Sequence, residues 1–463
     1  MLLTNTLLRR PTEFVPLVDR TVSMYTCGPT VYNFAHIGNF RAMMAYDLLK
    51  RWLRCAGYAV THVMNITDID DKTIRGAHTE GIGLAAFTAR YTHAFMEDCA
   101  TLRMAPADVF PKATAHIPQM IALVQTLMDK GVAYRGTDGS VYFSIDKFRP
   151  YGALSRLDSR ELMHGARIAS DEYDKLHAAD FALWKAWSPD DGDVKWPSPW
   201  GDGRPGWHLE CSVMAREYLG DTLDIHMGGE DLVFPHHENE IAQSEAATGK
   251  PFARFWIHNA HLLVDGRKMS KSLGNYYTLR DIVAKGWTGR EIRYLLLSAH
   301  YRQPLNFTFE GLHAARSALQ RLDESRRQLV ACDAQGTLRD HVKAALELAR
   351  QTWSDSLNDD LNISPALAGL FELVHQANKW LVAGGMTKAD AVALLDFLDQ
   401  TDAVLALAGS DDAVPADIQQ LALDRAAARK AKEFTRADDL RAQLAARGYT
   451  VEDTASGPRV KKA

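Results

Sequence analysis

Two cysteines, a histidine and a glutamate stand far apart in this chain but share a chemistry. Cys27 closes an alternating run, "RTVSMYTCGPTV"; Cys211 lies in "GWHLECSVMA"; and "FPHHENEIAQ" puts Glu240 four residues after His236, one helical turn away. Two thiolates, an imidazole and a carboxylate form a donor set suited to zinc. His237, three residues before Glu240, is also within reach of that carboxylate, so spacing leaves the register open. A surface helix pair is the plainer reading of His236 and Glu240 alone; the two otherwise unexplained cysteines favour a metal. The five cysteines are odd in number and widely spread, unlike a disulfide framework. Cys55, Cys99 and Cys332 fall in helix-like contexts and read as packed small hydrophobes.

Two further segments suggest a nucleotide. In "HIGN", residues 36–39, a histidine and a glycine open a helix after the first strand. Gly38 allows close approach to the backbone, and a helix start favours anionic phosphate. His36 can donate a hydrogen bond to charge building on an α-phosphate under attack. The bland alternative is a histidine that merely caps the helix. In "DGRKMSKSLGN", residues 265–275, Lys268 and Lys271 flank Met269 and Ser270 on a glycine-bounded loop, so two mobile ammonium groups can close over a leaving pyrophosphate. A solvated basic turn is the alternative there.

The elements that must position these groups read as a parallel sheet covered by helices. The strand ending at Cys27 is followed by "FRAMMAYDLLKRWLRCAGY", apolar at helical spacing up to Gly57, and then by the β-branched run "AVTHVMNITDIDDKTI". Residues 120–204 change character: "GVAYRGTDGSVYFSIDKF" reads as a short hairpin and "LHAADFALWKAWSPDDGDVKWPSPWGDGRPG" as a Pro/Gly-rich, partly irregular return. Strand patterns resume in "LDIHMGG" and "WIHNAHLLVDG"; from about residue 280 the periodicity is helical. The expected fold is α/β: a Rossmann-type catalytic domain in two halves (1–119 and 205–266) split by a connective insertion (120–204). A lysine-loop region (267–312), a helical bundle (313–409) and a small C-terminal domain (416–463) follow, the last after "GSDDAVPAD". No internal repeat is evident.

Composition bounds the rest. The 463 residues are 46% hydrophobic and 24% charged, which excludes a disordered or fibrous chain, and the formal net charge of −5 excludes a uniformly basic nucleic-acid binder. Residues 425–463 nevertheless carry ten Lys and Arg against five Asp and Glu, a local patch able to hold a polyanion. Arg429, Lys430, Lys432 and Arg436 are expected on or near one helix. The leucine cluster at the N-terminus is broken by arginines and prolines, and no apolar run approaches the ~18 residues of a membrane span. A cytoplasmic protein without membrane contact is the expectation.

Taken together, "CGPTVYNFAHIGN", "NITDIDDK", "GWHLECSVM", "GGEDLVFPHHENEIAQ" and "KMSKSLGN" resemble, in order and over nearly the whole chain, the signature segments of cysteinyl-tRNA synthetases, members of class I of the aminoacyl-tRNA synthetases. The resemblance implies that Cys27, Cys211, His236 and Glu240 hold one zinc ion that binds the thiolate of substrate L-cysteine, selecting His236 over His237. Thr67 and Trp207 would line the amino-acid pocket with Cys27. His36 and Asn39 would occupy the first and last places of the nucleotide motif, the last often histidine across class I. Gly38, Lys271, Gly228, Gly229 and Asp231 would contact ATP, which magnesium accompanies. His36, Asn39, Lys268 and Lys271 would carry catalysis. The helices 313–405 resemble the bundle that supports anticodon-stem binding, and the basic terminal unit resembles the anticodon-reading domain, so tRNA(Cys) is the implied partner of a monomer.

Zinc suits this task because an apolar pocket separates near-isosteric side chains by only ~1–3 kcal/mol. A soft metal takes a thiolate in preference to a serine hydroxyl, which makes a separate editing domain unnecessary. Four protein ligands plus the substrate sulfur would exceed the usual three-plus-one catalytic pattern. Two rivals are a ligase of the same superfamily joining cysteine to an amino sugar, and a non-catalytic zinc-dependent RNA-binding protein.

Overall fold

The computed structural model describes residues 1–156, 180–409, 416–454 and 457–462. It divides into two units, 1–407 and 408–463. Parts of the expected insertion (157–179), linker (410–415) and terminal domain (455, 456, 463) lie outside the described residues.

The first unit opens with a hairpin, β1 (Leu2–Asn5) and β2 (Arg10–Glu13), and then enters its central sheet. Strand β3 (Thr21–Thr26) leads to α1 (Ile37–Cys55), which crosses back to β4 (Ala59–Met64), parallel to β3. Helix α1 turns Ile37, Phe40, Met44, Leu48 and Leu49 onto the sheet and ends where Gly57 takes φ +86°, a left-handed conformation that favours glycine. Helices α2 (Asp71–Glu80), α3 (Leu84–Thr101) and α4 (Ile117–Asp129) follow.

The described parts of residues 120–204 are more regular than their composition suggests. β5 (Ala133–Arg135), β6 (Val141–Phe143), β7 (Phe181–Ala186) and β8 (Gly203–Pro205) form a four-stranded antiparallel sheet in that order. The expected irregular return thus contains two strands. In β7 the first five residues are all buried, so the apolar–polar alternation that betrays a half-exposed strand is missing.

The chain rejoins the central sheet through helix Trp207–Leu219, β9 (Leu223–Gly229), helix Glu238–Thr248 and β10 (Ala253–Asn259). The sheet order is β10-β9-β3-β4, with all neighbours parallel. From β3 the chain winds outward one way through β4 and the other way through β9 and β10. The carboxyl ends of β3 and β9 therefore flank a topological switch point, where open α/β sheets bind ligands.

A second small sheet carries the lysine loop. β11 (Leu262–Val264) turns through Asp265 and Gly266, both at positive φ (49° and 73°), into β12 (Arg267–Lys268). That turn matches the hairpin geometry that favours Asp-Gly. β11 also pairs in parallel with β13 (Leu305–Phe307), a strand inside the stretch read as purely helical. At three residues it is too short to interrupt the helical pattern on either side. Helices 309–330, 340–358, 363–382 and 388–405 complete this unit. The second unit holds helices Ala416–Lys430 and Phe434–Ala446 and a hairpin, β14 (Tyr449–Thr454) and β15 (Gly457–Lys462), around Ile418, Ala422 and Leu444. Among the described residues no helix is long and apolar enough to cross a membrane.

Candidate active site

Cys27 follows β3 directly, its amide bonded to the Met227 carbonyl of β9 at 3.2 Å. Cys211 lies in helix Trp207–Leu219, and His236 and Glu240 lie on the turn and helix after β9. One ligand atom from each of Cys27, Cys211, His236 and Glu240 lies within 4.8 Å of all the others. All four side chains are buried. Glu240 Oε1 is 2.9 Å from His236 Nε2 and Oε2 is 2.8 Å from His226 Nε2.

The register question persists in the geometry, because Cys27, His226, His237 and Glu240 form a second group of equal tightness. The two groups differ in chemistry. His237 Nε2 is 3.2 Å from the Cys27 sulfur, while its Nδ1 is 2.7 Å from His258 Nε2, and His258 Nδ1 is 2.7 Å from Thr6 Oγ1. Burial and the surrounding imidazoles hold His237 well below its ordinary pKa. Burial would also keep His236 neutral, but Glu240 and Cys211 outweigh it and push the ring up to about 10. Burial likewise opposes ionisation of Glu240, yet His226 and His236 hold its carboxyl at about 2. The hydrogen bond from Cys27 brings the Cys211 thiol to about 6, whereas burial and the neighbouring Cys211 drive Cys27 up. Two sulfurs and a carboxylate thus converge on the His236 ring.

Thr67 donates to Glu210 Oε2 at 2.8 Å and accepts from Asn65 Nδ2 at 3.0 Å, while Asn65 Oδ1 receives the Gly28 amide at 2.8 Å. Asn65 therefore ties the loop after β4 to the loop after β3. Trp207, 39% exposed, stacks on His236 with centroids 4.3 Å apart. Trp207 thus touches a member of the cluster and is open to solvent, whereas Thr67 is buried and reaches Glu210, the chain neighbour of Cys211.

At the start of α1 His36 caps the helix, as the plainer reading expected. The Asn39 amide donates to His36 Nδ1 at 3.1 Å, and the His36 amide donates to Asn39 Oδ1 at 3.1 Å. Because Nδ1 accepts, the proton of a neutral ring sits on Nε2, the atom free to donate elsewhere. Burial lowers the pKa of His36 and keeps it neutral. The Ile37 amide bonds to Tyr277 O at 3.1 Å, and Tyr276 packs edge-on against His36 with centroids 5.4 Å apart, so the segment after the lysine loop is fastened to this helix start. A Cβ on Gly38 would lie 3.0 Å from the His36 ring, so a larger residue would press on the cap and shift the ring by a few tenths of an ångström.

Lys268 ends β12 and Lys271 stands on the following loop, both exposed. Asn275 closes the loop: its Oδ1 takes the Ser270 amide at 2.9 Å and its Nδ2 donates to Lys268 O at 3.2 Å. The glycines after β9 have local reasons beside any ligand. A Cβ on Gly228 would meet His237 Cε1 at 2.5 Å, and one on Gly229 would meet Asp231 Oδ1 at 2.3 Å.

Sequence reasoning missed His208, His226 and His258. His208 Nδ1 lies 2.9 Å from His236 Nδ1, and His226 packs face to face on Trp256 at 4.5 Å. The signal was present: His226 and His258 each stand inside an apolar strand run, where a polar side chain needs a partner. Two other readings are corrected. Cys55 is exposed at the end of α1 rather than packed. Arg429 and Lys430 end one helix, Lys432 occupies the turn and Arg436 opens the next, so the basic cluster spans a helix–turn–helix corner.

The parallel sheet with its switch point, the capped helix start and the lysine hairpin define a class I aminoacyl-tRNA synthetase catalytic domain. Residues 13–317 match the family model described as tRNA synthetases class I (C) catalytic domain, residues 352–408 the DALR domain, and residues 411–459 the cysteinyl-tRNA ligase anticodon binding domain. The chain belongs to the cysteine–tRNA ligase family. It is 50% identical over 457 residues to the cysteine–tRNA ligase of Chlamydia felis, covering 98% of this chain and 96% of that one. It is 47% identical over 466 residues to that of Protochlamydia amoebophila, covering 99% and 97%. In fold it is similar to Mycobacterium tuberculosis methionyl-tRNA synthetase in complex with methionyl-adenylate (TM-score 0.61, 17% identity, 84% of this chain and 90% of that one). It is also similar to an Agrobacterium radiobacter leucyl-tRNA synthetase in a ternary complex (TM-score 0.62, 13% identity, 85% of each chain).

Proposed function

We propose that this protein attaches L-cysteine to tRNA(Cys) in the cytoplasm in two steps. The cysteine carboxylate attacks the α-phosphate of ATP, accompanied by magnesium, to give cysteinyl-adenylate and pyrophosphate; a terminal ribose hydroxyl of the tRNA then takes the aminoacyl group. The observation that carries this reading is the convergence of Cys27, Cys211, His236 and Glu240 where β3 and β9 end.

The donor set fits zinc: two sulfurs, one imidazole nitrogen and one carboxylate oxygen, mutually close and buried. When bound there, zinc supplies a soft Lewis acid that accepts a thiolate and discriminates against a hydroxyl. Trp207, stacked on His236, and Thr67, braced by Glu210, bound the pocket around the substrate side chain. His36 Nε2–H donates to the α-phosphate, its ring fixed by Asn39. Lys268 and Lys271 neutralise the leaving pyrophosphate. Gly38, Gly228, Gly229 and Asp231 face the nucleotide. The basic corner of the second unit reads the anticodon.

Metal analysis paired with ATP–pyrophosphate exchange tests the reading. The expected outcome is one zinc per chain and a preference for cysteine over serine far beyond the ~10–200-fold that an apolar pocket yields. Chelation should abolish exchange. A metal-free protein that still selected cysteine equally well would end the proposal.

A further inference from the structure

Between Cys27 and His36 the chain presents two large rings to solvent, Tyr32 and Phe34, each 38% exposed. They are not equivalent. Arg280 lies over Phe34 at 5.0 Å and Tyr91 meets its edge at 5.4 Å, and Arg280 is itself held by Glu97 (2.7 Å) and Asp98 (2.9 Å). Phe34 is therefore a packed joint between the loop and α3. Tyr32 is capped differently. Lys72, the second residue of α2, holds its ammonium 5.1 Å from the Tyr32 ring centroid. Among the described residues no carboxylate lies within ion-pair distance of that ammonium.

The backbone beneath this pair is fixed from several sides. Asp70 caps α2 by accepting the Lys72 amide at 2.7 Å, and Asp71 pairs with Arg204 of β8 and with Lys185 of β7 at 3.2 Å. The Val31 amide bonds to Thr67 O at 3.1 Å, joining the Tyr32 loop to the segment that leads into α2. An exposed aromatic face and an unneutralised cation on a rigid base are what single-stranded nucleic acid recognition uses: a base stacks on the ring while the ammonium meets a phosphate.

Topology separates this pair from the nucleotide already placed. In the order β10-β9-β3-β4, Gly228 and Gly229 end β9 on one side of β3, whereas α2 follows β4 on the other. Tyr32 also lies within electrostatic reach of Tyr276, the ring packed on His36, so a strand held at Tyr32 and Lys72 would end near the start of α1.

We propose that Tyr32 and Lys72 form a stacking and phosphate-binding platform for the unpaired 3′ end of the acceptor RNA. The platform rests on tRNA being the acceptor, as proposed above. It guides the terminal ribose toward the adenylate and takes no part in forming it.

Tyr32→Ala and Lys72→Gln, assayed in the full-length zinc-loaded enzyme, separate these roles. Cysteine-dependent pyrophosphate exchange, measured without RNA, should stay within twofold of wild type. Aminoacylation kcat/KM for tRNA should fall about tenfold or more, as loss of one base stack does, and Tyr32→Phe should restore it. A tRNA lacking its unpaired 3′ nucleotides should inhibit wild type and variants equally, since it cannot touch the platform. Exchange falling as far as aminoacylation would assign the pair to ATP and overturn the proposal; unchanged aminoacylation would reduce it to a solvated surface pair. A wild-type enzyme that exchanges but charges no tRNA would overturn the acceptor reading, and the platform with it.

Discussion

The two charged clusters that flank the switch point are built in opposite ways. Cys27, Cys211, His236 and Glu240 are 7%, 2%, 2% and 0% exposed, and a further layer of imidazoles, Trp207 and Trp256 surrounds them. Lys268 and Lys271 stand in solvent on a hairpin whose loop is closed chiefly by Asn275 and Ser270. The difference follows from what each is proposed to do. Telling sulfur from oxygen requires ligands fixed before the substrate arrives, because a yielding site would accommodate either. Neutralising pyrophosphate requires charge that is strongest when the bond breaks and can then withdraw, so a loosely held loop is suitable.

The comparison breaks most sharply at the buried cluster. Cys211→Ser replaces a sulfur whose thiol is held at about 6 with a hydroxyl that stays protonated. Bound zinc should fall from one per chain to near zero, and cysteine-dependent exchange should drop by on the order of 10³ or more, a few kcal/mol of lost stabilisation. Retained metal with normal selectivity would contradict a pre-set sulfur site.

Lys271→Ala probes the mobile side. Its ammonium lies over the Tyr276 ring at 5.3 Å, with no carboxylate partner among the described residues. Exchange should fall on the order of 10², the usual cost of one transition-state donor. Metal content and the KM for cysteine should not move. A variant that lost zinc would show that the two clusters are not separable.

How far the sequence revealed this architecture differs between the same two regions. The lysine loop was legible from local signals, two lysines three apart on a glycine-bounded stretch, but the hairpin turning at Asp265 and Gly266 and the closure by Asn275 went unread. The central strands and α1 were legible from periodicity. The buried cluster was only half legible. Spacing brought His236 and Glu240 together, but residues 27 and 211 meet through the sheet order β9-β3 and the packing of helix Trp207–Leu219, which no local pattern encodes. His208, His226 and His258 went unread for the same reason, since their partners are 28, 14 and 21 residues away. β7 was missed because a strand buried on both faces lacks alternation, so composition spoke louder than pattern.

The smallest effect decides which histidine belongs to the metal. His237 lies 3.2 Å from the Cys27 sulfur with its other nitrogen engaged by His258, an arrangement open either to orienting Cys27 or to taking the ion itself, and the two roles differ in their cost. A neighbour that orients Cys27 typically contributes a factor of ~10–100 to metal affinity, whereas a ligand contributes far more. His237→Ala should therefore weaken zinc binding by ~10–100-fold in a chelator competition and still reach one zinc per chain at saturation. His236→Ala should fail to saturate. If the two variants exchanged these behaviours, the ion would sit with His226 and His237, and the group containing Cys211 would be its outer support.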